Sequence, residues 1–337
     1  MRAAVIGAGL AGAAAARRLR AGGAEPVLFD KGRGPGGRMS TKRADTPLGE
    51  VRFDHGAQFV TAQTASFETF LEGAARDGYA ALWTGRLVSI DRYANLEPLR
   101  EKQRWVGAPA MNTLVRAALE GLEPQFGRRA RKLKGRPGAW TVVFEDGETE
   151  GPFERVALTL PPEQLIEFLA RSDGDFPEII TAANAVEITP CWTVMALLDA
   201  PFDPGFDGAQ IYGGGMRWMT RMASRPGRER HEAIVIQASP DWSAGLLEED
   251  PDTVARMLCE EAFVRFNMPA PVYSAAHRWR FAQVKTAAGS AMILDETGTV
   301  GAGGDWRLGG RAEHAWTSGE ALGEGLAKGV AQALDDA

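Results

Sequence analysis

Residues 3–30 read AAVIGAGLAGAAAARRLRAGGAEPVLFD. An apolar run, a glycine-rich turn, an alanine-rich segment, a second apolar run and a terminal acid follow one another in this stretch. This order predicts a β-strand, a tight turn, a helix and a second strand, which is the first part of a Rossmann-type dinucleotide-binding unit. Asp30 ends the second strand, where a carboxylate can accept hydrogen bonds from the hydroxyls of a ribose.

Each glycine of the turn has its own physical role. Gly7 lets the chain leave the strand in a tight turn, and Gly9 has no side chain to hold a pyrophosphate away from the backbone. Gly12 lets the helix lie close to the sheet, and the alanines at residues 13–16 extend that contact. The first unpaired N–H groups of the helix, near Leu10 and Ala11, then face the phosphates.

A second glycine-rich loop follows Asp30 directly. Residues 32–38 contain four glycines and a proline, which excludes a regular element. Such a loop exposes successive backbone N–H groups, and Arg33 and Arg38 add fixed positive charge. We therefore expect it to contact the second face of a pyrophosphate.

Residues 53–59, FDHGAQF, place a glycine among polar residues that are flanked by aromatic side chains. This pattern favours close approach of the backbone to a flat group. His55 and Gln58 either contact that group or only satisfy the polar atoms of the turn.

Composition and charge exclude several classes of protein. At 337 residues, the chain is long enough for one large domain and a smaller one. A net charge of −6 gives no electrostatic argument for binding nucleic acid or an anionic membrane, and no run of 18 apolar residues exists. Two cysteines and four histidines without ligand spacing predict no disulfide framework and no metal site, which suits the cytoplasm. For the basic run at residues 128–136, the solvated edge of a hairpin is favoured over a phosphate-binding patch, because charge runs usually face water.

The hydrophobic pattern changes in the middle of the chain. Helical periodicity is found at residues 66–78, 109–122, 163–169 and 251–267, and strand patterns at 130–133, 140–145 and 155–160. Between residues 176 and 283, strand-like alternation dominates, with frequent tryptophan and methionine. We predict a largely antiparallel sheet with an aromatic face and one helix there.

The last part of the chain again contains glycines between a predicted strand and a predicted helix. Gly304 and Asp305 follow a short strand, and Gly310 and Arg311 lead into a helix over residues 312–334. The small residues Ala315, Ser318, Gly319 and Gly323 let this helix pack tightly. This second helix N-terminus is suited to point at a ligand, and Asp305 is placed to bind a polyol.

Taken together, Gly7-x-Gly9-x-x-Gly12, Asp30, the Gly36-Gly37-Arg38 loop and Gly304-Asp305 resemble the FAD-dependent amine oxidase superfamily. Closer local segments are similar to bacterial renalases and extend from the start of the chain to about residue 325. These segments are RGPGGRMST at 33–41, FDHGAQF at 53–59, WVG at 105–107, HRWRF at 277–281, GDW at 304–306 and GGR at 309–311. One departure is Asp30, because the family more often has the longer glutamate there.

The resemblance implies non-covalently held FAD and an α/β fold (α+β overall). In that fold a Rossmann-like FAD-binding domain carries a mixed antiparallel-sheet substrate domain, as in p-hydroxybenzoate hydroxylase and the amine oxidases. We expect the FAD-binding domain to comprise residues 1–62, 104–172 and 286–337, and the substrate domain to comprise 63–103 and 173–285. The residues expected to bind FAD are Gly7, Gly9, Leu10, Ala11, Gly12, Asp30, Lys31, Arg33, Gly36, Gly37, Arg38, His55, Gly56, Ala57, Gln58, Ala130, Gly304, Asp305, Gly310, Arg311 and Ala315.

The resemblance also implies an activity. Bacterial renalases oxidise isomeric 2- or 6-dihydro forms of NAD(P), passing hydride to flavin N5 and electrons to oxygen to form hydrogen peroxide. Such a transfer needs stacking and positioning rather than a side-chain acid or base, which fits the few clustered titratable groups of residues 173–285. The expected catalytic residues are Tyr212, Trp218 and Trp279, as a wall facing the flavin, with Gln58 and His277 (or Asn184) orienting an amide.

The expected partners are a small-molecule dinucleotide and molecular oxygen, with no nucleic acid and no membrane, and the expected assembly is a monomer or weak dimer. Two alternatives remain open. One is an oxidase of small amines, or a carotenoid-desaturase-like enzyme, with Lys285 as the lysine that amine oxidases usually place near flavin N5. The other is a non-enzymatic flavin-binding or NAD-sensing protein. A two-domain flavin monooxygenase is disfavoured, because Gly213-Gly214-Gly215 lacks the helix and the acid of a second fingerprint.

Overall fold

The computed structural model describes residues 1–335. The strands are β1 (Arg2–Ile6), β2 (Glu25–Asp30), β3 (Lys42–Thr46), β4 (Gly49–Phe53), β5 (Ala80–Leu82), β6 (Leu87–Ile90), β7 (Leu96–Pro98), β8 (Trp105–Gly107), β9 (Gln125–Phe126), β10 (Ala130–Arg136), β11 (Ala139–Phe144), β12 (Thr149–Phe153), β13 (Arg155–Leu158), β14 (Glu187–Leu198), β15 (Gly208–Ile211), β16 (Met216–Arg221), β17 (Glu232–Ala238), β18 (Tyr273–Thr286), β19 (Ile293–Leu294) and β20 (Val300–Ala302). The helices are α1 (Leu10–Ala21), α2 (Ala65–Arg76), α3 (Thr113–Ala118), α4 (Pro162–Leu169), α5 (Pro177–Asn184), α6 (Pro240–Gly245), α7 (Pro251–Phe266) and α8 (Ala312–Asp335).

The first large sheet has the predicted dinucleotide-binding topology. Its order is β19-β20-β13-β1-β2-β9, and every pairing is parallel except that of the edge strand β19 with β20. The strands β1, β13 and β20 are almost fully buried apolar runs, as expected for parallel strands covered on both faces. Their carboxyl ends meet at one edge, which is where open α/β sheets bind ligands.

Helices α1 and α8 are packed against each other more closely than side chains normally allow. A Cβ atom at Gly319 would lie 2.2 Å from the carbonyl oxygen of Ala11, and one at Gly323 would lie 2.4 Å from that of Ala15. In the opening turn, a Cβ at Gly12 would lie 1.8 Å from the carbonyl oxygen of Gly7. The predicted close packing of both helices at their glycines is therefore confirmed.

The second large sheet has seven strands in the order β18-β14-β17-β16-β15-β6-β7. All its pairings are antiparallel except β15 with β6, so the sheet is mixed and mainly antiparallel, as predicted. Helix α7 covers its outer face through buried Val254, Leu258 and Ala262. A separate three-stranded sheet, β10-β11-β12, is inserted before β13.

Two local predictions were wrong, and one hairpin was missed. The helix predicted at 109–122 is only six residues long, because the chain leaves it before Gly121, whose φ is +74°. The apolar residues of the predicted helix are buried all the same. The periodicity therefore identified the buried face correctly but overestimated the length of the helix. Between residues 176 and 283 the chain forms three helices rather than one, since α5 and α6 each begin at a proline that suits a first helical turn. The hairpin β3–β4 was not predicted at all.

Across residues 1–335 no helix is both long enough and apolar enough to cross a membrane.

Candidate functional site

A cavity of about 1120 Å³ is bounded by residues of both large sheets. Pockets for drug-sized ligands usually enclose roughly 300–1,000 Å³, so this one has room for a longer molecule. Every residue that the sequence predicted to bind FAD lines this cavity, although these residues are distributed from Gly7 to Ala315. Of the predicted catalytic residues, Gln58, Trp218, His277 and Trp279 line it, and Tyr212 does not.

The fingerprint end of the cavity lies at the carboxyl ends of β1 and β2. The Asp30 carboxylate is held by two backbone donors, accepting from the N–H of Ala8 at 2.7 Å and from that of Gly32 at 2.6 Å. A Cβ placed on Gly9 would meet no atom within 4 Å. The turn is therefore close-packed on its protein side at Gly12 and open on its cavity side at Gly9, which is the shape that receives a phosphate group.

The basic run at 128–136 is only partly a solvated edge. Arg128, Arg129 and Arg131 line the fingerprint end of the cavity, whereas the later part of β10 is exposed. Arg128 lies over the ring of Phe144, with its Cζ 3.9 Å from the ring centroid. The interpretation of the whole run as a hairpin edge was wrong, because the backbone N–H of Arg128 donates to the carbonyl oxygen of Asp30 at 2.9 Å and holds the beginning of the run beside the fingerprint.

The middle of the cavity joins the second glycine loop to the last helix. Arg38 Nη2 donates to Asp305 Oδ1, and the carboxylate of Asp305 is almost fully buried. Gly304, with φ of +147°, donates its N–H to Ser318 Oγ at 2.8 Å. The loop after β2 and the N-terminal end of α8 are thus held face to face across the cavity, and Arg311 at that end donates to Thr61 Oγ1 at 2.8 Å.

A row of side chains crosses the seven-stranded sheet and forms the far wall of the cavity. The strand register pairs Gln210 with Trp218, Trp218 with Gln237, Gln237 with Thr193 and Thr193 with His277. All of these except the fully buried Thr193 line the cavity. The wall is therefore built from one aromatic, one imidazole and two amide side chains, as a consequence of strand register.

His55, His277 and Trp279 form a compact group beside this row. The ring centroids of His277 and Trp279 are 4.5 Å apart, and those of His55 and His277 are 4.8 Å apart and perpendicular. Trp279 Nε1 donates to the carbonyl oxygen of His55 at 3.0 Å. His55 Nδ1 is buried without a hydrogen-bond partner among the described residues, so it is a polar atom available to a ligand in the cavity.

Both imidazoles in this group are neutral at physiological pH. Burial, together with the neighbouring His277, lowers the pKa of His55 to about 4. Burial also lowers the pKa of His277 below its usual value, and Lys42 acts in the same direction. The group can therefore hydrogen-bond and stack without placing a positive charge against a ligand.

Gln58 lines the cavity but does not present a free amide to it. Its Nε2 donates to the carbonyl oxygens of Asp54 at 2.8 Å and Gly56 at 2.9 Å, and its Oε1 accepts from Arg225 Nη2 at 2.6 Å. The role predicted for Gln58 in orienting a substrate amide does not fit, because the protein itself uses both ends of the side chain.

Tyr212 lies outside the cavity, with 52% of its surface exposed. It follows the last residue of β15, where the chain turns through the glycines at 213–215 into β16, and Arg265 of α7 donates to its backbone oxygen at 3.4 Å. Its hydroxyl accepts from Gln210 Nε2 at 2.6 Å. The prediction that Tyr212 faces the flavin was wrong, and Gln210 takes that position in the wall.

Lys285 and Asn184 are also absent from the cavity lining. Lys285 is exposed and pairs with Glu187 at 2.7 Å, and Asn184 ends helix α5. Among the described residues that line the cavity, lysine occurs only at Lys31, beside the fingerprint.

Sequence reasoning missed a buried ionic group behind the His55 loop. Asp54 accepts hydrogen bonds from Arg225, Arg228, Thr41 and the backbone N–H of Met111. Asp54 lies within the FDHGAQF segment at residues 53–59, but no local pattern indicates that its partners are arginines more than 170 positions later in the sequence. Within residues 1–335, no cluster of three or more His, Cys, Asp or Glu side chains is placed to hold a metal ion.

Comparison with known proteins agrees with this architecture. The model of NAD(P)-binding Rossmann-like domains matches residues 5–72. A putative protoporphyrinogen oxidase from Exiguobacterium sp. 255-15 has a similar structure, with a TM-score of 0.76 at 13% identity over 97% of this chain and 99% of that one. Wild-type putrescine oxidase bound to putrescine has a TM-score of 0.73 at 13% identity over 98% and 99% of the two chains. Cyclohexylamine oxidase from Brevibacterium oxydans IH-35A has a TM-score of 0.74 at 11% identity over 98% and 99%.

The fold is therefore a Rossmann-like dinucleotide-binding domain joined to a mixed-sheet domain, in the arrangement that these oxidases share. The likeness spans nearly the whole chain, and the predicted fold class is confirmed.

Proposed function

We propose that the protein is an FAD-dependent oxidase of isomeric dihydronicotinamide dinucleotides, the 2- or 6-dihydro forms of NAD(P), with oxygen reduced to hydrogen peroxide. The observation that carries this proposal is the single continuous cavity. One end of it is the dinucleotide fingerprint, and the other is an aromatic and amide wall on a second sheet.

The cavity fits FAD at three places. The space in front of Gly9 accepts the pyrophosphate, and the Asp30 carboxylate, pre-oriented by two backbone donors, suits the ribose hydroxyls. Arg38 and Asp305 lie in the middle, where phosphate and polyol groups would replace their mutual contact. The His55 loop, with its backbone fixed by Gln58 and Gln237, would flank the flat ring system.

When bound, FAD supplies a two-electron acceptor that takes a hydride from the substrate and passes the electrons to oxygen. The balance is one dihydropyridine, one oxygen molecule and one proton giving one pyridinium and one hydrogen peroxide. The chain's own task is to stack, orient and exclude water. Trp218 and Trp279 offer flat faces for this, and the neutral His277 offers a hydrogen bond without an added charge.

The relatives with known amine substrates raise a second candidate, an oxidase of small amines. Putrescine oxidase and cyclohexylamine oxidase share the fold. Two features of this chain favour the dihydropyridine instead. The lysine considered for flavin N5, Lys285, is an exposed partner of Glu187. Moreover, the cavity-lining side chains contributed by the described part of the seven-stranded sheet include no carboxylate that would attract an ammonium group.

Anaerobic rapid mixing tests the proposal. Protein purified with FAD is mixed with dihydronicotinamide isomers made by borohydride reduction of NAD, and the flavin absorbance is followed. We expect rapid bleaching by the 2- or 6-dihydro isomers, formation of hydrogen peroxide when oxygen is admitted, and no bleaching by putrescine or cyclohexylamine. Bleaching by the amines alone contradicts the proposal, and a protein that does not bind FAD removes its basis.

A further inference from the structure

Two irregularities in the seven-stranded sheet bring Arg217 and Gln283 together on the cavity wall. In β16, Met216 pairs with Ala238 and Trp218 with Gln237, so Arg217 is the extra residue of a β-bulge. In β18, Gln283 pairs with Thr189 and Trp279 with Cys191, so three residues of β18 oppose the single Pro190. Bulges re-aim side chains, and proline is tolerated at them because it has no N–H to donate to the ladder.

The two re-aimed side chains meet across strands that do not neighbour each other. Arg217 Nη1 donates to Gln283 Oε1, and both residues line the cavity. The backbone of Gln283 is held in turn by Thr189, whose hydroxyl donates to its carbonyl oxygen at 3.2 Å. The guanidinium is therefore held in one place by a neutral partner, which leaves its charge unbalanced.

The charge of Arg217 is not neutralised by the surrounding wall. Arg217 forms no salt bridge with any described residue, in contrast to Arg278 and Arg280 at the same wall, which both pair with Glu248. The Cys191 side chain nearby is no substitute for a carboxylate, since burial raises the pKa of its thiol to about 11. An arginine fixed in a cavity without an anionic partner is suited to bind an anion.

We propose that Arg217, positioned by Gln283, binds a phosphate group of the substrate. The inference rests on the proposed function, since it names the part of the dihydronicotinamide dinucleotide that the second sheet recognises. The phosphates of FAD are not candidates, because the fingerprint at Gly9 and the Arg38 loop receive them on the other sheet. The substrate is then selected at two points, its flat ring beside Trp218 and its anionic tail at Arg217.

The experiment compares a substrate that carries phosphate groups with one that carries none. Dihydro-NAD isomers carry a pyrophosphate, and the matching dihydronicotinamide ribosides carry none. We expect R217Q to raise the KM for the dinucleotide about 10- to 100-fold, the loss typical of a charge-assisted hydrogen bond, and to leave the riboside unchanged. R217K, which keeps the charge, should recover part of the loss. R256Q, which removes an arginine from an exposed helical pair, is the matched control.

A binding measurement separates the failure of this inference from the failure of the proposed function. Quenching of tryptophan fluorescence is titrated with inorganic pyrophosphate and with NAD, without turnover. Weaker binding of both in R217Q, with binding retained in R256Q, supports the anion site even if no dihydropyridine bleaches the flavin. The inference is overturned if R217Q raises the KM for the dinucleotide and the riboside equally. It is also overturned if R217Q binds pyrophosphate and NAD as tightly as the parent protein does.

Discussion

Arg225 Nη1 donates to Asp54 Oδ2 at 2.9 Å, and both side chains are completely excluded from water. Burial by itself would raise the pKa of Asp54, but the charges of Arg228 and Arg225 outweigh it and hold that pKa below its usual value. Burial lowers the pKa of Arg225 to about 10, so it stays charged at neutral pH. The pair fixes the loop that carries His55, because Arg225 also donates to Gln58 at 2.6 Å.

Removing one member of this buried ion pair should lower the free energy of unfolding far more than removing one member of an exposed ion pair. We expect Arg225→Met to lower the free energy of unfolding by about 3–5 kcal/mol, because it leaves buried charge less compensated and the Gln58 oxygen without a donor. The exposed pair of Arg256 with Glu260, whose side chains are 62% and 61% exposed, provides the matched control. Arg256→Met should cost about 0.5 kcal/mol or less. Urea denaturation measures both, and equal effects would contradict the structural role of the pair.

Asp30 should control affinity for FAD. Asp30→Asn replaces an acceptor of two backbone hydrogen bonds and of the ribose contact, so we expect about 10- to 100-fold weaker binding of FAD to the apoprotein. Asp203 makes a similar local bond, accepting from the N–H of Gly205 at 2.9 Å, but is exposed and outside the cavity. Asp203→Asn should leave FAD affinity unchanged in a fluorescence titration. Equal affinity of the two variants would show that Asp30 is not a ribose ligand.

The contact between α1 and α8 should not tolerate a methyl group. At Gly319 a Cβ would lie 2.2 Å from the backbone oxygen of Ala11 and cannot be avoided by rotating a side chain. We expect Gly319→Ala to destabilise the protein by about 1–3 kcal/mol, despite the better helix propensity of alanine. At Gly245, also in a helix, an added Cβ meets nothing within 4 Å, so Gly245→Ala should be neutral or slightly stabilising. Thermal and urea unfolding of both variants test the comparison.

Stability should fall on mild acidification because of His55. The unfolded chain protonates this histidine near its ordinary pKa of 6.5, whereas the folded protein does so only at about 4. The contribution of His55 to the free energy of unfolding is therefore present above pH 6.5 and is lost as the pH falls towards about 4. The loss approaches about 1.4 kcal/mol per pH unit and totals about 3 kcal/mol.

The control for this pH effect is another histidine of the chain. His55→Gln should flatten the dependence of the free energy of unfolding on pH between about 4 and 6.5, and His231→Gln, away from the cavity lining, should not. A pH dependence that is the same in the parent protein and in His55→Gln would show that His55 titrates normally in the folded state.

The amino-acid sequence alone determined the first dinucleotide-binding unit and most of the cavity around it. The turn at Gly7, the helix that follows and the position of Asp30 depend on neighbours within a few residues, and local patterns report such neighbours directly. The close packing of α8 was predictable for the same reason. Glycines repeated on one face of a helix imply close contact with whichever element packs against that face.

Only the tertiary structure decided which of the candidate side chains face the second half of the cavity, and which others join them. Tyr212 and Gln210 are two positions apart, yet a turn after β15 removes one from the wall and strand pairing retains the other. Arg217 reaches the cavity through a bulge, and Arg225 meets Asp54 across 171 positions of sequence. Register, bulges and buried ion pairs result from the pairing of distant strands, and no local pattern of residues encodes that pairing.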